Sequence, residues 1–165
     1  DLACRAFARL PDKRLLIVGE GPERESLQRL APRNVQILGR LTDKRIADLY
    51  ARCRAFIMPG EEDFGITPLE AQASGRPVIA YGRGGILDTV VPLGTAGATG
   101  VFFAEQSAAA LIHAISELED ALAQFTPQKL ARQASRFSPA HFKQAIGEAL
   151  RNWGIEAAPQ FLYES

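Results

Sequence analysis

The sequence predicts an α/β fold with a Rossmann-like, doubly wound parallel sheet. Short apolar runs bounded by turn residues alternate with segments of helical period, which is typical of βαβ units. A length of 165 residues, of which 47% are hydrophobic and 23% charged, fits one ordinary globular domain with a buried core. Because the crossovers of such a sheet are right-handed, ligand-binding loops are expected beyond the carboxyl ends of its strands.

Each predicted strand is a short apolar run that ends in a turn signal. The five candidates are Leu15–Val18, Val35–Leu38, Ala55–Met58, Pro77–Tyr81 and Gly100–Phe103. Helical periodicity between them predicts helices at about residues 1–10, 23–30, 43–53, 68–74 and 107–122. The loops after Val18, Leu38, Met58 and Tyr81 all leave the same edge of the predicted sheet.

The last forty residues are predicted to be helical. Thr126 and Ser138 each precede a proline, as N-cap residues do when proline takes the first helical position. An apolar stripe follows at helical spacing, and we expect it to pack on its own domain, with a part left uncovered as the alternative. Residues 155–165 are expected to form a loosely ordered tail after a domain that covers residues 1–154. The stripe consists of Phe142, Ile146, Leu150 and Trp153.

Composition excludes several classes of function. The formal net charge is zero, whereas nucleic-acid-binding domains usually carry a basic excess, so we expect no nucleic-acid partner. Cys4 and Cys53 have no ligand-like spacing and are interpreted as reduced thiols of a cytoplasmic protein. His113 and His141 are interpreted as surface residues, and we expect neither a metal site nor a cofactor. No signal peptide or apolar run of membrane-spanning length is present in the sequence.

Two carboxylates suggest a ligand with many hydroxyl groups. Glu62 and Glu70 are separated by seven residues across a predicted loop-to-helix junction. A carboxylate accepts strong, charge-assisted hydrogen bonds from vicinal hydroxyls, so two of them can hold two sugar rings of one extended ligand. Backbone amides at the helix start between them suit a phosphate. Sugar, phosphate and sugar follow one another in a nucleotide-sugar.

Each of these carboxylates also has a structural interpretation. Thr67-Pro68-Leu69-Glu70 fits a capping box, in which Thr67 caps the helix and Glu70 reaches back to an unpaired amide. This interpretation does not exclude ligand binding, because a carboxylate has several lone pairs. Glu62 lies between Glu61 and Asp63, so a solvated acidic turn is its alternative.

Two glycine-rich segments follow predicted strands. Gly84 and Gly85 allow close backbone approach and an anion-binding turn, with an ordinary loop as the alternative. Gly19-Glu20-Gly21 begins like a dinucleotide fingerprint, but its third glycine position is Arg24 and no acid follows at the next strand end. The second segment is therefore interpreted as a strand-to-helix turn.

These motifs together resemble the C-terminal, donor-binding domain of retaining glycosyltransferases of family 4 (group 1), which have the GT-B fold. The resemblance runs through about residues 1–150 and is closest to mannosyltransferases that use GDP-mannose. It depends on six segments: Leu16–Pro22, Val35–Gly39, Tyr50–Cys53, Phe56–Pro59, the Glu62–Glu70 block with Ser74–Ala80, and Gly84–Gly85. Asp63 stands where most of the family has glycine, and Asp88 where it usually has glutamate.

The resemblance implies a role for each candidate residue. Glu62 is expected to hold the donor hexose as the catalytic residue, and Glu70 to bind the ribose hydroxyls. Gly39, Arg40 and Leu41 are the candidates for the base. The sugar and phosphate site is expected to include, besides Glu62, residues Phe64, Gly65, Ile66, Thr67, Gly84 and Gly85.

The function implied is transfer of a hexose, with mannose favoured, from a nucleoside diphosphate sugar to a glycan or lipid-linked acceptor. The family holds the pyrophosphate with an Arg and a Lys upstream of the segment matched here and binds the acceptor on an N-terminal domain. We therefore expect this polypeptide alone to be inactive, and the whole protein to lie in the cytoplasm or at the inner membrane face. Another GT-B enzyme, such as a nucleotide-sugar epimerase, and a non-catalytic nucleotide-binding or interaction module remain the alternatives.

Overall fold

The computed structural model describes residues 1–154 as a parallel α/β domain. Each predicted strand is present, and helices cover most of the chain between and after the strands. The strands are β1 (Leu15–Val18), β2 (Val35–Gly39), β3 (Phe56–Met58), β4 (Val78–Tyr81) and β5 (Gly100–Phe103). The helices are α1 (Leu2–Phe7), α2 (Arg24–Leu30), α3 (Asp43–Arg52), α4 (Ile66–Ala73), α5 (Ile86–Thr89), α6 (Ala108–Asp120), α7 (Pro127–Ser135) and α8 (Pro139–Asn152).

The predicted parallel α/β class is confirmed, but the strands form two sheets. β1 pairs with β2, and β3, β4 and β5 pair in that order, with every pairing parallel. Within residues 1–154, neither β1 nor β2 is paired with β3, β4 or β5, so the domain does not form the single continuous sheet that the alternation predicts.

The central strand β4 shows why this region forms a stable core. All four of its residues are buried. Ile79 and Tyr81 belong to a large apolar cluster that includes residues of α1, β5 and α6, whereas Val78 and Ala80 belong to a smaller cluster with α4 and α5. An apolar run without alternation is what a parallel strand with helices on both faces requires.

Only one face of the β1–β2 pair packs against the larger apolar cluster. Leu15 and Ile17 pack against it, while Leu16 and Val18 are 38% and 40% exposed on the opposite face. The two sheets therefore have one common core, formed largely with α1 and α6. Of the described helices, none is long and apolar enough to cross a bilayer.

The C-terminal helices begin as predicted but pack differently. Pro127 and Pro139 take the first positions of α7 and α8, after Thr126 and Ser138. α7 packs on α4 and buries Leu130. The prediction that the apolar stripe of α8 packs on this domain is wrong, because α7 packs on α4 whereas α8 buries only Gly147. Phe142, Ile146 and Trp153 are 67%, 43% and 74% exposed, and the predicted tail at 155–165 lies outside the described residues.

One asparagine organises the entry into β1. The Asn34 side-chain amide nitrogen lies 2.9, 2.9 and 2.8 Å from the carbonyl oxygens of Phe7, Leu10 and Lys13. These carbonyls line the turn between α1 and β1, where the Leu10 and Lys13 amides also donate to the Phe7 and Leu10 carbonyls. The Lys13 side chain also forms an ion pair with Glu119 of α6 at 2.5 Å. Both contacts hold the α1–β1 turn against the rest of the core.

We predict that Asn34→Ala destabilises the domain by about 1–3 kcal/mol, because it removes the part-buried side-chain donor that three carbonyls share. Urea unfolding followed by circular dichroism measures the free energy of unfolding. Asn152→Ala, at an exposed position near the end of α8, is the matched control and is expected to change it by less than about 0.5 kcal/mol. Equal stability of Asn34→Ala and the parent protein would show that the Asn34 hydrogen bonds are unimportant.

Candidate functional site

The candidate site is built on the start of α4, and this start differs from the prediction. Gly65 is the N-cap residue, with φ of 84°, and the helix begins at Ile66. Thr67 is therefore inside the first turn, and no side chain makes a capping hydrogen bond. The capping box is wrong because the left-handed glycine turns the chain two residues earlier. Pro68 is still accommodated, since amides of the first turn have no helical partner.

The loops after β3 and β4 are joined through their backbones. The Gly85 amide donates a hydrogen bond of 2.8 Å to the Glu62 carbonyl, and Glu62 and Gly84 form a parallel β-bridge. A Cβ atom on Gly84 would lie 2.5 Å from the Glu62 carbonyl oxygen, and one on Gly85 would lie 2.0 Å from that of Asp63. Both glycines are thus required by close backbone approach. The Gly85 amide already has an acceptor within the chain, the Glu62 carbonyl.

This junction borders an open cleft of about 360 Å³. Glu62 is exposed at the cleft, so its carboxylate faces solvent while its backbone holds the loop. Met58, Phe64 and Ile66 form an apolar part of the cleft wall beside this carboxylate. The lining consists of Met58, Glu62, Phe64, Gly65, Ile66 and Thr67. The structure therefore brings together five of the predicted sugar and phosphate residues at one place.

Glu70 lies one turn further along α4 and is contacted by a tyrosine of α3. The Tyr50 hydroxyl lies 3.2 Å from Glu70 Oε2 and 3.3 Å from the Thr67 carbonyl oxygen. Partial burial raises the pKa of the Tyr50 hydroxyl, and the Glu70 carboxylate raises it further. The hydroxyl therefore stays protonated near neutral pH and acts as a donor. Glu70 itself is exposed, so its other lone pairs face solvent.

The remaining predicted residues lie apart from the cleft lining. Gly39 ends β2 with φ of 68°, and its carbonyl accepts a hydrogen bond from the Gly19 amide. Arg40 and Leu41 follow it in the loop before α3. Arg83 precedes the Gly84–Gly85 segment and was not assigned to the site; it is exposed, and its guanidinium lies 5.7 Å from the centre of the Tyr81 ring. The base-binding assignment to Gly39, Arg40 and Leu41 stays a prediction.

Three residues near the site were missed by sequence reasoning. Met58 ends β3 and lines the cleft, Tyr50 donates to Glu70, and Phe137 packs edge-to-face on Phe64 with ring centres 6.0 Å apart. Met58 could have been found, because the carboxyl end of a parallel strand is where ligands are expected. The contacts of Tyr50 and Phe137 join segments distant in sequence, so no local pattern assigns them to the site, although Tyr50 lies in a segment that carries the family resemblance.

The predicted surface histidines are confirmed as exposed. His113 lies 3.9 Å from Glu117 on α6, and His141 Nδ1 lies 2.9 Å from the Ser138 hydroxyl at the start of α8. Across residues 1–154 there is no group of three or more His, Cys, Asp or Glu side chains arranged to hold a metal ion.

Comparison with known proteins relates most of the chain to one family. Residues 1–136 match the family model described as glycosyl transferases group 1. A GDP-mannose-dependent monoacylated alpha-(1-6)-phosphatidylinositol monomannoside mannosyltransferase of Corynebacterium glutamicum is 41% identical over 99 residues, which cover 53% of this chain and 26% of that protein. A D-inositol 3-phosphate glycosyltransferase of Mycobacteroides abscessus is 33% identical over 161 residues, or 89% of this chain and 32% of that protein. The chain thus spans a third or less of these relatives.

Solved structures resemble the same domain. Sucrose-phosphate synthase from Thermosynechococcus elongatus is 26% identical with a TM-score of 0.75, and the match covers 92% of this chain and 41% of that one. HepE of Anabaena, solved in complex with UDP and glucose, is 25% identical with a TM-score of 0.69 over 91% of this chain and 44% of that one. The α/β fold of this chain therefore resembles part of each of these proteins.

We predict that Gly85→Ala destabilises the domain by about 1–3 kcal/mol, because its methyl group collides with the Asp63 carbonyl and must push the loop away. Thermal unfolding followed by circular dichroism measures the loss. Gly60→Ala is the matched control from the same β3–α4 loop, since its Cβ meets no atom within 4 Å and its φ is not positive. If both variants melt together, the two loops do not depend on close backbone contact.

Proposed function

The chain belongs to the glycosyl transferases group 1 family, and we propose that it binds the donor of an enzyme that transfers a hexose from a nucleoside diphosphate sugar. The observation that carries this proposal is the cleft. One exposed carboxylate, Glu62, borders it together with the residues that begin α4, and a second, Glu70, lies one helical turn away. This is the order of groups that a sugar, a diphosphate and a ribose need.

Each part of the donor has a matching group. The Glu62 carboxylate accepts hydrogen bonds from hexose hydroxyls, and Glu70 accepts them from the ribose. Amides at the start of α4 stabilise the diphosphate, since the N–H groups of Gly65, Ile66 and Thr67 have no helical acceptor and Pro68 carries no N–H. Gly84 and Gly85 contribute mainly by holding the Glu62 loop in place, because the Gly85 amide already donates to Glu62.

The proposed reaction retains the configuration of the transferred sugar. The donor's leaving phosphate accepts the proton of the acceptor hydroxyl, and the new bond forms on the same face of the sugar. Protein catalysis then consists of orientation by Glu62 and stabilisation of the departing diphosphate charge. The acceptor, a glycan or a lipid-linked sugar, is bound outside the cleft described here.

GDP-mannose is the donor we favour. Asp63 replaces the glycine of most family members, and this departure resembles the subgroup that uses GDP-mannose. The Corynebacterium relative is also named as a GDP-mannose-dependent enzyme. UDP and glucose are bound by HepE, so a uridine donor is the competing choice. Calorimetric titration with GDP-mannose and with UDP-glucose separates the two.

We predict that Glu62→Ala weakens binding of GDP-mannose by about tenfold to a hundredfold while binding of GDP is unchanged, and that Glu70→Ala weakens both. The split arises because only the sugar donor reaches Glu62, whereas both ligands contain the ribose. Isothermal titration calorimetry provides the dissociation constants. Glu61→Ala, which removes the adjacent exposed carboxylate, is the control and should change neither constant by more than about twofold. Equal losses of GDP and GDP-mannose in Glu62→Ala contradict the sugar-holding role.

We predict that EDTA leaves transfer by the full-length protein unchanged. The motivation is that the sequence has no paired aspartates or histidines beside the glycine segments, while Mg²⁺ and Mn²⁺ prefer carboxylate ligands. Initial rates are measured with radiolabelled GDP-mannose before and after chelation, with calcium-saturated EDTA as the control for nonspecific effects. Loss of transfer that manganese restores would overturn the metal-independent proposal.

A further inference from the structure

We propose that Tyr50 is a positioning residue that aims the Glu70 carboxylate at the ribose of the donor; this inference rests on the proposed function. The Tyr50 hydroxyl lies within 3.2 Å of Glu70 Oε2 and 3.3 Å of the Thr67 carbonyl oxygen. One hydroxyl thus contacts both a lining residue of the cleft and the carboxylate assigned to the ribose.

The tyrosine is held from both ends, so its hydroxyl has little freedom to move. Its ring packs edge-to-face on Phe56 of β3, with ring centres 5.9 Å apart. At its backbone, the Arg76 Nε donates a 3.1 Å hydrogen bond to the Tyr50 carbonyl, and the same guanidinium donates to the Ala51 carbonyl. Arg76 thereby satisfies carbonyls at the end of α3, which have no helical donor. α3 is fixed against the segment that links α4 to β4.

Glu70 needs such a support because it stands on an exposed face. A glutamate side chain in solvent samples several rotamers, and fixing it on ligand binding costs conformational entropy. A donor on Oε2 reduces that cost in advance and leaves Oε1 and the second lone pair of Oε2 for two vicinal hydroxyls. Removal of the tyrosine hydroxyl is therefore expected to weaken ligands with a ribose diol and to spare ligands without one.

The test compares Tyr50→Phe with the parent protein in calorimetric titrations. Tyr50→Phe keeps the ring on Phe56 and removes only the hydroxyl. The probes are GDP, UDP and their 2′,3′-dideoxy counterparts. We expect Tyr50→Phe to weaken the ribonucleotide that binds by about three- to tenfold and the dideoxy counterpart by less than about twofold. In a Glu70→Gln background, Tyr50→Phe is expected to have no further effect of that size, because the two residues act together.

The outcomes distinguish the positioning role of Tyr50 from the ribose-binding role of Glu70. Unchanged ribonucleotide binding in Tyr50→Phe, with clear loss in Glu70→Gln, overturns the positioning role and leaves the ribose site intact. Equal losses for ribose and dideoxy ligands in Tyr50→Phe also overturn it, since they indicate general damage to the site. Unchanged binding in Glu70→Gln, or no binding of either nucleotide by the parent protein, overturns the ribose assignment and this inference with it.

Discussion

Contact between two loop backbones is the constraint on which the candidate site depends. Gly84 and Gly85 lie so close to Glu62 and Asp63 that no side chain fits between them. The hydrogen bond from Gly85 to Glu62 then fixes the backbone that carries the first carboxylate. Because β3 and β4 are neighbours in one parallel sheet, their loops leave the same edge and can meet in this way. Sheet pairing thus determines where the carboxylate is presented.

The second carboxylate is placed by different means. Gly65 adopts a left-handed conformation that only glycine adopts readily, and this lets α4 begin at Ile66 directly beside the cleft. The face of α4 opposite to the site is anchored by Gln72, which is fully buried and donates to the carbonyls of Pro68 and Thr89. Gln133 of α7 donates to the same Thr89 carbonyl. α4 is therefore a rigid support that carries Glu70.

Much of the fold could be predicted from sequence because it depends on local patterns. Strands β1 to β5 are short apolar runs, and Pro127 and Pro139 mark the starts of α7 and α8. The prediction failed at the start of α4 and along α8. A capping box at Thr67 was locally reasonable, but the left-handed Gly65 starts the helix two residues earlier. The α8 stripe is amphipathic, but Phe142, Ile146 and Trp153 are exposed. Likewise, the sequence singled out Glu62 and the residues from Phe64 to Thr67, which line the cleft, whereas it did not single out Tyr50 and Phe137 as parts of the site.

The different burial of α7 and α8 has a consequence for how the domain is bounded. α7 buries Leu130 completely and shares a carbonyl acceptor with α4, so it belongs to the cooperative folding unit. α8 buries only Gly147 and presents aromatic side chains to solvent. The edge of that unit therefore falls in the turn between the two helices, where Phe137 packs on Phe64. A displacement of α8 would therefore act on the Phe137–Phe64 ring pair, and Phe64 lines the cleft.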